Sequence, residues 1–220
     1  MHREPCARLA LVLLAAVLLA PTGAGAAPAD DAILPLESYA STDARALAEA
    51  HGAELRGLQG ELRPCAPRID VQRHGIAFRR PRAVAETAAP YLTLWVWLDA
   101  DALPAATDLP ARAAAAFRRY GQALFRRLVA RSPIFADTRV DGYGVILSWL
   151  SPEPKAGRPQ AESLAVFADK VTAANFALDT IGPSTFLTRA AVRAFDGQAE
   201  LGSLPLAVED DGAPAAGLPC

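Results

Sequence analysis

The run Tyr91-Leu92-Thr93-Leu94-Trp95-Val96-Trp97-Leu98-Asp99 constrains this chain more than any other stretch. Its residues alternate as a strand's do. Leu92, Leu94, Val96 and Leu98 point one way, and Tyr91, Thr93, Trp95 and Trp97 the other. A strand that is apolar on both sides is expected at the centre of a sheet, covered on both faces. A second run, Tyr143 to Leu150, sets Tyr143, Val145, Leu147 and Trp149 against Ile146, Ser148 and Leu150. If the two strands pair with their aromatic sides aligned, Trp95, Trp97, Tyr143 and Trp149 form one layer. Such a layer can be core beneath a C-terminal helix pair, an interface for a partner, or a platform on which sugar rings stack. The chain has several apolar helix faces to bury, and one side of a sheet cannot take them all. Core is therefore expected, with helices on both sides of the sheet.

The other elements follow from spacing and punctuation. Ser41-Thr42-Asp43 opens a helix over about 42–60, with Leu47, His51, Leu55, Leu58 and Leu62 on its apolar side. Arg68 to Arg80 reads as a hairpin turning at His74-Gly75. Asp108 and Pro110 start a helix over about 109–131, whose outer side carries Arg112, Arg118, Arg119, Arg126, Arg127 and Arg131. Leu164, Phe167, Ala168, Val171, Ala174, Leu178 and Ile181 keep helical spacing from Pro159 to Gly182, and Ser184 caps a shorter helix that ends at Gly197. The fold class is α+β: a mainly antiparallel sheet of about four strands packed with three to four helices. The connection between the two strong strands carries a helix, which allows that pair to be parallel. The expected organisation is a signal peptide over 1–26, a loose arm over 27–40, one domain over 41–197 and an extended tail over 198–220.

The first 26 residues carry His2, Arg3 and Arg8, then an apolar run from Leu9 to Ala20, a break at Pro21 and Gly23, and the small residues Ala24-Gly25-Ala26. That order is the pattern of a secretory signal peptide cleaved after Ala26. The run is shorter than the roughly 20 apolar residues of a membrane-spanning helix, and no later stretch approaches that length. The chain is thus expected to be periplasmic or secreted, with no membrane span after cleavage. Cleavage removes Arg3, Arg8 and Glu4 and takes the formal charge from −2 to −3, which argues against nucleic acid as a partner. Cys65 and Cys220 survive cleavage, and an even pair in an oxidising compartment reads as a disulfide.

Chemical motifs are scarce. No Gly-x-Ser-x-Gly elbow is present, and Gly182-Pro183-Ser184 reads as a helix stop and cap. His51 on a helix's apolar side reads as a hydrogen-bonded core histidine, and His74 as a turn residue. Two histidines and two distant cysteines offer no zinc spacing, and Asp99, Asp101 and Asp108 lack the calcium-loop pattern. Gly142-Tyr143-Gly144 precedes a strand and not a helix, so it is no phosphate loop. No cofactor or metal is expected.

Two functions stay open. The first is an exported, non-enzymatic α+β module that binds a protein partner or an envelope component. Its candidate binding residues are Trp95, Trp97, Tyr143 and Trp149, together with Arg119 and Arg126 on the arginine helix. The second is a secreted hydrolase for glycan or peptide, with carboxylates such as Asp99, Asp137, Asp141 and Asp179 assembled in space.

Overall fold

In the computed structural model, the described residues are 32–81, 89–99, 103, 108–152, 157–196, 200–208, 218 and 220. Residues 1–26, where a signal peptide is expected, residues 27–31 of the expected arm and the acidic patch at 209–211 lie outside them.

Six strands form one mixed sheet in chain order: β1 (Ile69–Arg79), β2 (Tyr91–Leu98), β3 (Gly142–Leu150), β4 (Ala161–Asp169), β5 (Ala191–Phe195) and β6 (Glu200–Ser203). β2 and β3 are parallel, and the other four pairings are antiparallel. The fold is α+β as expected, with a wider and more mixed sheet than the four-stranded antiparallel one. The parallel pair is the one whose connection carries helices, since a parallel link needs a long crossover. That crossover is α3 (Leu109–Ala116), which runs through a π-helical turn at Phe117–Gly121 into α4 (Gln122–Val129), followed by α5 (Ser132–Ala136). Asp108 caps its start by accepting from the Ala111 N–H at 3.0 Å. Ahead of the sheet lie α1 (Thr42–Ala50) and α2 (Gly52–Leu62), one expected helix interrupted at His51.

Three expectations are corrected. Residues 68–80 form no hairpin but one bulged strand. Val71 pairs with Val96 and Ile76 with Leu94, leaving Gln72–Gly75 as a bulge in which His74 adopts φ 57°. Pairing both halves with β2 buries Ile69, Ile76 and Phe78 to 0–1 % exposure. The expected five-turn helix over 159–181 divides into β4 and a short α6 (Lys170–Ala177), and the second helix into α7 (Pro183–Arg189) and β5. Leu164, Val166 and Ala168 also alternate, and pairing along the whole of β3 decides for the strand. Asp169 then caps α6 through the Thr172 N–H, at 2.9 Å. The expected extended tail enters the sheet as β6, and Val208 beyond it is buried.

Among the described residues, the helices cover one face of the sheet. Leu92, Leu94 and Val96 of β2, Tyr143, Val145, Leu147 and Trp149 of β3, and Leu164 and Val166 of β4 join one buried cluster with helix residues such as Leu47, Leu58, Leu124 and Leu128. Four phenylalanines knit the helix layer. Phe176 and Phe186 stack at 4.1 Å between ring centres, with Phe117 stacked beside them and Phe125 edge-on. Among the described residues, the expected sandwich with helices on both sides of the sheet is not formed. Cys65, buried at the start of β1, is disulfide-bonded to Cys220.

Candidate functional site

The opposite face of the sheet is built from the alternate residues of the same strands. The register sets Thr93 beside Gly144, Trp95 beside Ile146 and Trp97 beside Ser148 across the parallel pair. On the far side, Ser148 faces Ser163, Ile146 faces Ala165 and Gly144 faces Phe167. Ser163 and Ala165 in turn face Phe195 and Arg193. The aromatic residues of β2 and β3 therefore part company. Tyr143 and Trp149 belong to the helix face, at 0 % and 1 % exposure, while Trp95 and Trp97 remain half-buried on the open face. The expected single aromatic layer does not exist, because the pairing aligns Leu92 with Tyr143 and Leu94 with Val145.

Side-chain size shapes this face into a cleft of about 430 Å³. Its floor on β3 and β4 is made of Ile146, Ser148, Ala161, Ser163 and Ala165, and its walls are Trp95 and Trp97 on one side and Phe195 and Arg193 on the other. One end is closed by two rings. Tyr91 and Phe167 meet edge-to-face, with ring centres 6.4 Å apart, across β3. Gly142 and Gly144 make room for them: a Cβ on Gly144 would stand 2.5 Å from the Phe167 ring, and one on Gly142 would strike Tyr91 and the Ala168 carbonyl. The Gly-Tyr-Gly sequence thus seats two aromatic rings from neighbouring strands.

Both indole N–H groups turn inward. Trp97 Nε1 donates to Gln72 Oε1, a residue that the β1 bulge swings toward it. Trp95 Nε1 donates to Ser148 Oγ at 2.8 Å, and Ser148 Oγ lies 2.7 Å from Ser163 Oγ. Either hydroxyl can be the donor of this last bond, and both serines line the cleft. The lining offers apolar surface, the flanks of two indoles, two serine hydroxyls and Arg193, and among the described residues it contains no carboxylate.

The arginine helix is engaged within the fold. Arg112, buried in α3, makes a bidentate pair with Glu162 through Nε and Nη2 at 2.8 and 2.6 Å, and Trp149 Nε1 donates to the same carboxylate at 2.7 Å. Burial raises the affinity of Glu162 for its proton, but the hydrogen bonds from Arg112, Trp149 and Ser151 outweigh it and hold the carboxyl below its ordinary value. Arg126 donates to the Ala177 carbonyl at 2.7 Å and to Asp179, closing the end of α6, while Arg127 and Arg131 both pair with Glu61. Arg119 is exposed, with its guanidinium carbon 5.3 Å from the centre of the Tyr120 ring. Neither Arg119 nor Arg126 lines the sheet cleft, and neither do Tyr143 and Trp149.

Three of the carboxylates considered for catalysis, Asp137, Asp141 and Asp179, are engaged by separate partners. Asp137 is held by Arg139 at 2.7 and 3.0 Å and by His51 Nε2 at 2.9 Å, and the Arg139 bonds press its carboxyl far below the ordinary range. Asp141 accepts from the Ala89 N–H and Asp179 from Gln122 and Arg126. Among the described residues, no group of three or more His, Cys, Asp or Glu side chains is arranged to hold a metal ion. A second cleft, lined by Asp43, Arg80, Ala89, Pro90 and Arg139, contains a single carboxylate. Among the described residues, no helix is long and apolar enough to cross a membrane.

Compared with known proteins, the chain matches no family model, no curated protein and no solved structure. The reading of the site therefore rests on its own geometry.

Local sequence patterns do not reveal several residues of the cleft and its supports. Ser163, Ala165 and Phe167 lie in β4, where the helical spacing of their apolar neighbours masked a strand; Gln72 lies in the bulge read as a turn. The usable signal was the alternation of small with large residues, Gly142, Gly144, Ile146, Ser148 on β3 and Ala161, Ser163, Ala165, Phe167 on β4.

Proposed function

We propose that this protein is an exported, non-enzymatic binding module whose open sheet face receives an apolar portion of a protein partner or an envelope component. One observation carries the reading: Trp95 and Trp97 stand half-exposed over a cleft of about 430 Å³, with both N–H groups satisfied inside the protein. Their polar edges are spent on holding the rings in place, so the surface offered to a ligand is their apolar flank. Ligand sites of about 300–1,000 Å³ with mostly apolar walls and a few fixed polar groups are the usual form of a small-molecule or side-chain pocket. A stacking platform for sugars would need several polar groups around the indoles, and this lining supplies few. The basic, apolar and small-residue order of residues 1–26 supports export, as does the Cys65–Cys220 bond, since disulfides persist in oxidising compartments.

The test is a titration of the full mature chain with Nile red, a neutral apolar dye. Saturable binding of one dye per chain is expected, lost in Trp97→Ala and kept in Leu178→Ser, which removes an apolar side chain that is 73 % exposed elsewhere. Dye binding unchanged by Trp97→Ala would contradict the reading. Export is checked by the intact mass of the protein from its own host, with Ala27 expected as the first residue and retention of Leu9–Ala20 as the contrary result.

A further inference from the structure

We propose that the occupant of the open face is a second copy of this chain, packed sheet on sheet about a two-fold axis that runs along β3; this rests on the open face being a binding site. The observation that carries it is the unequal height of the two strands beside β3. On this face β2 presents Trp95 and Trp97, and β4 presents Ala161, Ser163 and Ala165. The tall and the short residues share rungs of the sheet. Trp95 lies level with Ile146 and Ala165, and Trp97 with Ser148 and Ser163. A two-fold axis parallel to β3, midway between two facing sheets, keeps every rung at its own level and exchanges left for right. β2 of one copy then lies over β4 of the other. Trp95 meets Ala165 and Trp97 meets Ser163, twice over, and Ile146 meets Ile146 on the axis. Facing sheets pack about 10 Å apart with interdigitating side chains, a gap suited to an indole over alanine or serine and too narrow for opposed indoles.

The rest of the face has the anatomy of an interface. By register Leu150 and Phe195, 49 % and 38 % exposed, extend its apolar area at the end near Trp97. Charges stand to either side, Asp70 and Arg79 on β1 and Arg193 on β5, as in the polar rim of a protein interface. The six strands together give a face of roughly 700 Å² in plan. Each partner in a specific interface contributes about 600–1,000 Å². The area lies in the lower half of that range, so the dimer is expected to form and separate with concentration. A small apolar ligand would fill the floor of the cleft and leave Leu150 and Phe195 uncovered.

The experiment is sedimentation velocity on the full mature chain from about 0.2 to about 200 µM, a span that brackets a Kd of about 10 µM. Monomer is expected at the low end and dimer at the high end. Nile red bound per chain should fall as the dimer forms, because the second copy takes the same cleft. Ala165→Arg sets a long charged side chain where Trp95 of the second copy would lie, and should abolish the dimer. Trp97→Ala should weaken it about tenfold or more, and serves where Ala165→Arg fails to fold. Leu178→Ser should leave it unchanged. Ile146→Cys adds a thiol on the axis, beside a Cys65–Cys220 pair that is already bonded; a short bis-maleimide should join it into covalent dimers. A chain that stays monomeric to the highest concentration while Nile red still binds overturns the dimer and leaves the apolar cleft standing. A dimer that survives both Ala165→Arg and Trp97→Ala, or that binds Nile red as well as the monomer does, uses another surface and also overturns the proposal. If neither a dimer nor dye binding is seen, both readings fail.

Discussion

Trp149 and Trp97 lie on adjacent strands of one sheet, yet one is sealed beneath helices and the other stands half in solvent. The difference does not lie in their own chemistry. Trp149 shares its face with Tyr143, Val145, Leu147, Leu164 and Val166, large side chains that reach the helix layer and leave no gap. Trp97 shares its face with Gly144, Ser148, Ala161, Ser163 and Ala165, which are too short to meet a second layer. The volume of the neighbours, more than the apolarity of the strand, decides which face of a sheet is core. The polar bonds differ in the same way. On the closed face the Trp149 indole joins a buried ion pair that locks α3 to β4. On the open face the Trp95 indole donates to Ser148, whose hydroxyl is bonded in turn to that of Ser163.

Substitutions at matched positions sharpen or break this contrast. The largest effect is expected from Trp149→Ala, which should cost about 3–5 kcal/mol in denaturant unfolding, as large-to-small changes in packed cores do. Trp97→Ala should cost about 1 kcal/mol, because only part of its surface is buried. Equal losses at the two positions would remove the distinction between the faces.

Next comes Glu162→Gln, which leaves the Arg112 guanidinium buried without its counter-charge and is expected to cost about 3 kcal/mol. Its pH dependence has a definite sign. The folded-state value of the Glu162 carboxyl lies below the unfolded one, so its contribution is complete above the ordinary carboxylate value of about 4. That contribution is lost as the pH falls through the lowered value. The gap between wild type and Glu162→Gln should therefore narrow on acidification and stay constant between neutrality and pH of about 5. A gap that widens in acid would contradict the assignment.

Gly144→Ala should cost about 1–3 kcal/mol, since its Cβ forces the Phe167 ring from the closed end of the cleft. Ser163→Ala should cost about 1 kcal/mol, because it removes the hydroxyl bonded to the buried Ser148 Oγ. No change in stability there would contradict a structural role for this bond.

Legibility of this fold in its sequence varied with the strength of local signals. β2 and β3 alternate over their full lengths and were readable as strands, and the helix-bearing connection left their parallel pairing open. The capped starts at Ser41 and Asp108 were readable from their short polar side chains. β4 was not readable, because Leu164, Phe167, Ala168 and Val171 keep a helical period while Leu164, Val166 and Ala168 keep a strand period, and only pairing with β3 separates the two. The β1 bulge carries the His-Gly pair of a tight turn, and both flanking segments alternate as hairpin arms would. Of the candidate site, Trp95 and Trp97 were found from the strand itself, while Tyr143 and Trp149 were joined to them by an alignment that the parallel register reverses. Arg119 and Arg126 attracted notice as part of a helix without acids of its own. The acids that meet Arg112, Arg126, Arg127 and Arg131 come from α2, β4 and the end of α6, which no local reading could bring together.

The central claim, that one face of the sheet is dry core and the other an open cleft, is tested most directly by iodide quenching of tryptophan emission in two variants. Trp95→Phe with Trp97→Phe leaves Trp149 alone, and Trp149→Phe leaves the cleft pair. The first protein should emit to the blue and resist iodide. The second should emit further to the red, be quenched readily, and regain protection on saturation with the ligand that fills the cleft. Equal, poor quenching of both proteins would show that the second face is also covered, and would contradict the account.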